Sequence, residues 1–120
     1  MAEAFARVQG GGLVEASSAG LYPAAIIQPQ TFQVMAERGI TVADRAPQSV
    51  SELDGAAFDL VVNMSGLPVG KALRNFHGRG ASWTIPDPIG QSEQVYRSSR
   101  DQIEKRVAKL LEQLWLESQE

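Results

Sequence analysis

Cysteine is absent from the 120 residues. Its absence excludes a disulfide framework, thiolate metal ligands and a cysteine nucleophile supplied by these residues. Histidine occurs once, at His77. A zinc site would need mostly carboxylates, a donor set that zinc seldom takes, so no metal and no other cofactor is expected. Positive charge is in the minority, with 11 Lys and Arg against 14 Asp and Glu and a net charge of −3. Bulk electrostatic attraction to nucleic acid is thereby excluded. No apolar run nears the roughly 18 residues of a membrane span. The opening Met1-Ala-Glu-Ala-Phe-Ala-Arg7 has no basic stretch followed by an apolar one, so it is no secretory signal. A cytoplasmic protein without a membrane or nucleic-acid partner is the expectation.

What the sequence does contain suits a single domain over residues 1–120. At 43% hydrophobic and 21% charged residues, the chain has apolar surface enough for one modest core. Met1, Ala4, Phe5 and Val8 recur at helical spacing and predict a helix over 1–9, with Glu3 and Arg7 turned away. Gly10-Gly11-Gly12 ends it. The triple glycine is not a dinucleotide loop: the G-x-G-x-x-G spacing is missing, and the run closes a helix rather than opening one. Leu13–Ala19 reads as a short strand that Gly20 closes. Pro29 opens a second helix that reaches Arg38, with Phe32, Met35 and Ala36 inward and Gly39 as its stop. Ile40-Thr41-Val42 is a brief extended piece. Ser49–Leu53 suits a helical turn and residues 69–76 a short helix.

Phe58–Met64 is a nearly continuous apolar run, the mark of a strand covered on both faces in a parallel sheet. Ala81–Ile85 is a further strand, stopped by Pro86-Asp87-Pro88. Ser92 to about Glu117 is a long amphipathic helix with Ile103, Val107, Leu110, Leu111 and Leu114 as its stripe and Trp115 in the core. Strand and helix alternate, so the class is α/β: three layers, with helices on both faces of a parallel sheet.

Six stretches then stand out along the chain: Met1-Ala-Glu-Ala-Phe-Ala, Ser18-Ala19-Gly20, Val34-Met35-Ala-Glu-Arg-Gly39-Ile40, Phe58–Met64, Trp83-Thr-Ile-Pro86-Asp87-Pro88 and Tyr96-Arg97-x-x-Arg100-Asp101-x-Ile103. In this order and spacing they resemble the low-molecular-weight protein tyrosine phosphatases and their relatives, the thioredoxin-coupled arsenate reductases. The resemblance implies phosphomonoester hydrolysis or arsenate reduction in intact members. It also implies a central strand and a phosphate-binding loop ahead of the Met1 helix, the loop carrying a nucleophilic Cys and, six positions on, an Arg. Set against the family, these residues start after that loop. The family's sheet, ordered second-first-third-fourth, would lack its first, central strand. Phosphoryl transfer of this kind needs a thiolate, backbone N–H donors and a guanidinium around the phosphoryl oxygens, and an acid for the leaving group. The chain by itself is therefore expected to be inactive. The other reading is a non-catalytic interaction or scaffold protein that keeps the fold.

By the same resemblance Asp87 matches the general acid of the phosphatase branch; without the family, Asp-Pro simply makes a turn. Ile89-Gly90-Gln91 follows it where phosphatases often carry paired tyrosines, which sits nearer the reductase branch. That branch needs resolving cysteines, and Ser65-Gly66 stands where one is sought. Ser18 resembles the serine that supports the phosphate loop from behind, or is a plain strand-end serine. His77 reads as a solvated loop residue. Lys71, Arg74 and Arg79 fall in an acid-free stretch from Leu60 to Pro86. It reads as a solvated face, with attraction of an anionic ligand as the alternative. A strand missing from mid-sheet would leave unpaired backbone on 13–19 and 59–64. Each buried unpaired group costs about 1–3 kcal/mol, and open apolar edges recruit other chains. A homo-oligomer through exposed sheet edges is expected, with an oxyanion as the candidate ligand.

Overall fold

The computed structural model describes residues 1–21, 26–68 and 72–119. Among them are three α-helices, two 3-10 turns and a two-stranded parallel sheet, the α/β class that the alternation in sequence predicts. The chain divides into two compact units. One comprises Met1–Ser18, Ile27–Asp44 and Pro86–Glu120; the other comprises Ala19–Ile26 and Arg45–Ile85. The α-helices belong to the first and the strands to the second.

In the helical unit, α1 (Ala2–Gly10) and α2 (Pro29–Ala36) both pack on α3 (Glu93–Ser118). Helices of eight or nine residues are marginal alone, so this packing is what keeps them. Phe5 of α1, Val34 and Met35 of α2 and Tyr96 of α3 are buried, with Ile103, Val107 and Leu111 continuing the α3 stripe. Each large apolar side chain so buried contributes about 1.5–3 kcal/mol relative to exposure. The inward face of α2 differs from the expected one: Val34 is buried and Ala36 exposed. Strict helix stops at Ala36 because the next amides tighten, Arg38 N–H donating to Met35 O and Gly39 N–H to Ala36 O, both at 2.9 Å. Ser92 caps α3, its Oγ accepting the Val95 N–H at 3.4 Å. Trp115 is not core: it is 54% exposed. A Cβ on Gly10, the last residue of α1, would lie 3.4 Å from Leu111 Cδ2. The end of α1 therefore meets α3 at Leu111, and Trp115 comes one turn later.

A buried arginine fastens α2 to α3. Arg100 is 4% exposed. Its Nη1 donates to Val34 O at 2.9 Å and to Glu37 Oε1 at 2.6 Å, and its Nε donates to Asp101 Oδ1 at 2.8 Å. Val34 O is one of the last-turn carbonyls that a helix leaves without an internal partner. The guanidinium thus caps α2 and places positive charge at the negative end of its dipole. Around it Arg97 grips Glu37 with Nε and Nη2, and Arg38 reaches Asp101 at 2.9 Å.

The sheet unit departs further from expectation. Leu13–Ala19 forms no strand; among the described residues a lone bridge pairs Gly20 with Ser49. A strand exists only by pairing, and here Ala16 O is taken by the Arg7 guanidinium instead. β1 (Leu60–Asn63) lies inside the expected 58–64, but all four residues are half-buried rather than covered on both faces. β2 (Arg79–Ser82) starts two residues before the expected 81–85. Its register runs Leu60 with Arg79 to Asn63 with Ser82. Arg79 N–H donates to Asp59 O and Trp83 N–H to Asn63 O, which sets both ends of the ladder. The turn at Ser49–Leu53 is the 3-10 segment Val50–Glu52. Of the helix expected over 69–76, residues 69–71, with Lys71, lie outside the described residues. Residues 72–76 run as turns around a bridge between Asp54 and Arg74. His77, Arg74 and Arg79 are exposed.

Two outcomes are expected. The Arg97 hydrogen bonds, then those of Arg100, lower the Glu37 carboxyl from its ordinary 4.5 to about 2. Between these values the unfolded chain holds a proton on residue 37 that the folded chain does not. Stability is therefore fully present above about pH 4.5 and declines as pH falls toward 2. Urea midpoints measured across this window should fall with pH for the native chain. For Glu37→Gln the slope should be shallower, the variant being less stable at pH 7 and converging with the native chain near pH 2. Gly55→Ala should lower stability by about 2–3 kcal/mol, read from the same midpoints. Gly55 N–H donates to Arg74 O at 2.6 Å, and an added Cβ would strike that same carbonyl and come within 2.6 Å of Phe76 N.

Candidate functional site

Asp87 follows Pro86 in the loop that leads into α3. Proline on either side limits the loop's conformations. Ser99, fully buried on α3, donates its Oγ proton to Pro86 O at 2.8 Å and pins the loop to the helix. Beyond Asp87 the chain turns back: Gln91 N–H donates to Pro88 O at 2.8 Å, with Gly90 at φ 78°. That positive φ at the third turn position is one that glycine adopts without strain. Asp87 Oδ1 accepts the Ile89 N–H at 3.1 Å. Asp87 is exposed and close enough to Tyr96 for its charge to be felt. Burial first, and the Asp87 charge second, push the Tyr96 phenol above its ordinary pKa.

Ser18 sits at the end of the extended segment after α1. Its Oγ donates to Glu3 Oε1 at 3.1 Å. Glu3 Oε2 lies 3.5 Å from Arg7 Nε, and Arg7 donates to Ala16 O from Nε at 3.1 Å and from Nη2 at 3.0 Å. Glu3 and Arg7 therefore do not turn away to solvent. They fold onto residues 16–18 and tie the extended segment to α1. Sequence reasoning missed this pair; its one signal was the Glu-to-Arg spacing of four, which places both on one helix face.

The two predicted residues are thus held by different partners, Ser18 by a carboxylate of α1 and Asp87 by its own turn. Chemically, Asp87 is a carboxyl at the surface, able to exchange a proton with a bound group. Ser18 offers its hydroxyl proton to an anion already present within the chain. At Ser65, the sheet unit holds a closed polar turn: Ser65 N–H and Oγ both donate to Asn63 Oδ1, at 2.9 and 2.7 Å, and Asn63 Nδ2 donates to Leu67 O at 2.7 Å. Hydroxyl chemistry there is structural. Among the described residues, no three His, Asp or Glu side chains gather as metal ligands, and no helix is long and apolar enough to cross a membrane.

Ser99→Ala removes the hydroxyl that donates to Pro86 O and so unties the loop from α3. A loss of about 1 kcal/mol is expected, measured as a fall in urea midpoint. A faster proteolytic cut near Asp87 should accompany it.

Comparison with known proteins agrees with this architecture. Residues 1–120 match the model of the low molecular weight phosphotyrosine protein phosphatase family. A glutaredoxin arsenate reductase from Synechocystis is 29% identical over 115 residues, covering 92% of this chain and 85% of the relative. A putative arsenate reductase from Halobacterium salinarum is 30% identical over 100 residues, covering 83% and 69%. Among solved structures, an arsenate reductase in its phosphate-binding state superposes with a TM-score of 0.82 at 26% identity, covering 94% of this chain and 86% of that one. The arsenate reductase of Archaeoglobus fulgidus gives 0.74 at 29% identity, covering 92% and 86%. With a family model matched from the first residue to the last, on an α/β framework of the same kind, the chain belongs to the low molecular weight phosphotyrosine protein phosphatase family.

Proposed function

We propose that these 120 residues are a family member that does not by itself hydrolyse phosphomonoesters or reduce arsenate. The observation that carries this reading is the complete absence of cysteine. Both reactions, as the family resemblance implies them, begin with attack by a thiolate. A hydroxyl is a far weaker nucleophile unless a neighbouring base activates it. Ser18 does contact a carboxylate, but Glu3 is also engaged by Arg7. Asp87 keeps the position of a leaving-group acid, with no attacking group for it to assist. The names of the relatives favour the reductase branch for the ancestry of the chain. Ile89-Gly90-Gln91 after Asp-Pro supports the same branch. The same reading keeps the cytoplasmic location expected from the sequence.

A second reading, a binding or scaffold role on the retained fold, is favoured by the Arg100 clamp. That clamp assembles wholly from residues of this chain and needs no catalytic loop. The two readings are compatible, since loss of chemistry frees the fold for another use.

The test is an assay of the purified chain with p-nitrophenyl phosphate, and with arsenate in the presence of a thiol reductant. No turnover above buffer is expected in either. Turnover that disappears in Asp87→Asn or Ser18→Ala would overturn the proposal and would name the residue responsible.

A further inference from the structure

Of the 11 glycines in the chain, Gly55 alone follows an aspartate, and none follows an asparagine. The pair has a chemistry of its own. A glycine amide carries no β-carbon beside it, so its nitrogen can approach the carboxyl of the preceding aspartate and close a cyclic imide. Water then opens the imide at either carbonyl. Opening at the main-chain carbonyl leaves isoaspartate, in which the chain runs through the side-chain carboxyl and is one methylene longer. The sheet unit holds the two reactants apart. Gly55 N–H donates to Arg74 O at 2.6 Å, and the extended backbone at Asp54, with ψ 116°, turns that amide away from the Asp54 side chain. Asp54 Oδ1 is engaged elsewhere: it accepts the Ala56 N–H at 3.1 Å and Asn75 Nδ2 at 3.3 Å. These bonds, Ala56 first, hold the carboxyl below its ordinary pKa, whereas imide formation needs the neutral acid.

Gly55 cannot rotate in place. It is buried, and the site of its absent Cβ lies against Arg74 O and 2.6 Å from Phe76 N. Reaction therefore requires residues 74–76 to part from 54–55. The pairing that must open is a parallel bridge outside the β1–β2 ladder, with Asp54, Arg74 and Asn75 all exposed. Exposed pairings of this kind open at a lower cost than the whole fold. We propose that Asp54 is a modification site, converted to isoaspartate through openings of its bridge to Arg74, and that the conversion prevents the bridge from closing again. In the first step Gly55 N attacks Asp54 Cγ. The N–Cγ bond forms and the Cγ–OH bond breaks, hydroxyl and amide hydrogen leaving as one water. In the second step a water adds to the Asp54 main-chain carbonyl carbon, breaks its bond to nitrogen and returns a hydrogen to that nitrogen. Nothing is oxidised or reduced, and the mass is unchanged. The added methylene pushes Gly55 out of a slot with no room for a methyl group. The α-carboxylate released at residue 54 is the group that an isoaspartyl carboxyl methyltransferase would take. The inference is independent of whether the chain is active.

The test is to age the full chain at neutral pH, folded and in urea, and to follow isoaspartate by peptide mass spectrometry with fragmentation that separates it from aspartate. Methyl transfer by an isoaspartyl carboxyl methyltransferase counts the same product. Isoaspartate should accumulate at residue 54, roughly tenfold or more slowly in the folded chain, because only the open fraction reacts. Asn75→Gly removes the Nδ2 donor and keeps the positive φ of 60° at that position free of strain. It should raise the folded-state rate about fivefold, the equivalent of one hydrogen bond, with the rate in urea unchanged. The isoaspartyl fraction, separated from the rest, should unfold at lower urea than unaged protein. Equal rates in the folded and unfolded chain overturn the proposal. So does isoaspartate that forms first at another residue of the folded chain, an Asn75→Gly rate equal to the native one, or an isoaspartyl chain as stable as the original.

Discussion

The guanidinium of Arg100 lies where two helices would otherwise have incompatible needs. α2 ends with carbonyl groups that require donors, and α3 passes that end with an apolar stripe that cannot supply them. One side chain from α3 provides three bonds, to Val34 O, Glu37 and Asp101. Burying a cation is costly unless it is paired and its donors are used. Here the partners are half-exposed carboxylates, which keep part of their own hydration. The arrangement avoids the full desolvation of an ion pair while still capping the helix. Arg97 and Arg38 complete the network from the surface, where each bond is individually weak.

The residue beside this clamp holds the loop that carries Asp87. Ser99, the neighbour of Arg100 on α3, holds Pro86 O from the next position along the same helix. The stretch Tyr96-Arg97-x-x-Arg100-Asp101 thus has two tasks beyond helix formation, one toward α2 and one toward the Asp-Pro turn. The first task is met by charge-assisted hydrogen bonds between residues far apart in the chain, the second by a single neutral hydrogen bond. Both depend on the rotation of α3, which its buried stripe fixes.

Much of the helical unit was legible because its signals are local. Pro29, Ser92 and the glycines after α1 mark helix ends through their own backbone chemistry, and the structure puts ends there. The family resemblance was legible for a different reason: the short motifs keep their order over the whole chain. The strand expected at 13–19 failed because a strand's existence depends on a neighbour, which no window of sequence contains. β2 shifted because its register is set by Asp59 and Asn63, some twenty residues earlier in the chain. Trp115 was placed in the core because helical period tells which face is buried but not how far the covering helix extends. Of the candidate residues, Ser18 and Asp87 were named from sequence. Glu3, Arg7 and Ser99, which hold them or their loop, were found only once distant segments were brought together.

The bonds from Arg100 to Val34 and Glu37 join residues 66 and 63 positions apart. Contacts of such separation form late, because the intervening chain must first be ordered. On a ribosome α2 is synthesised long before the residue that caps it. Through most of translation its carbonyl end would face water or a chaperone rather than a guanidinium. The carbonyl end of α2 is therefore satisfied only once α3 has been made and docked.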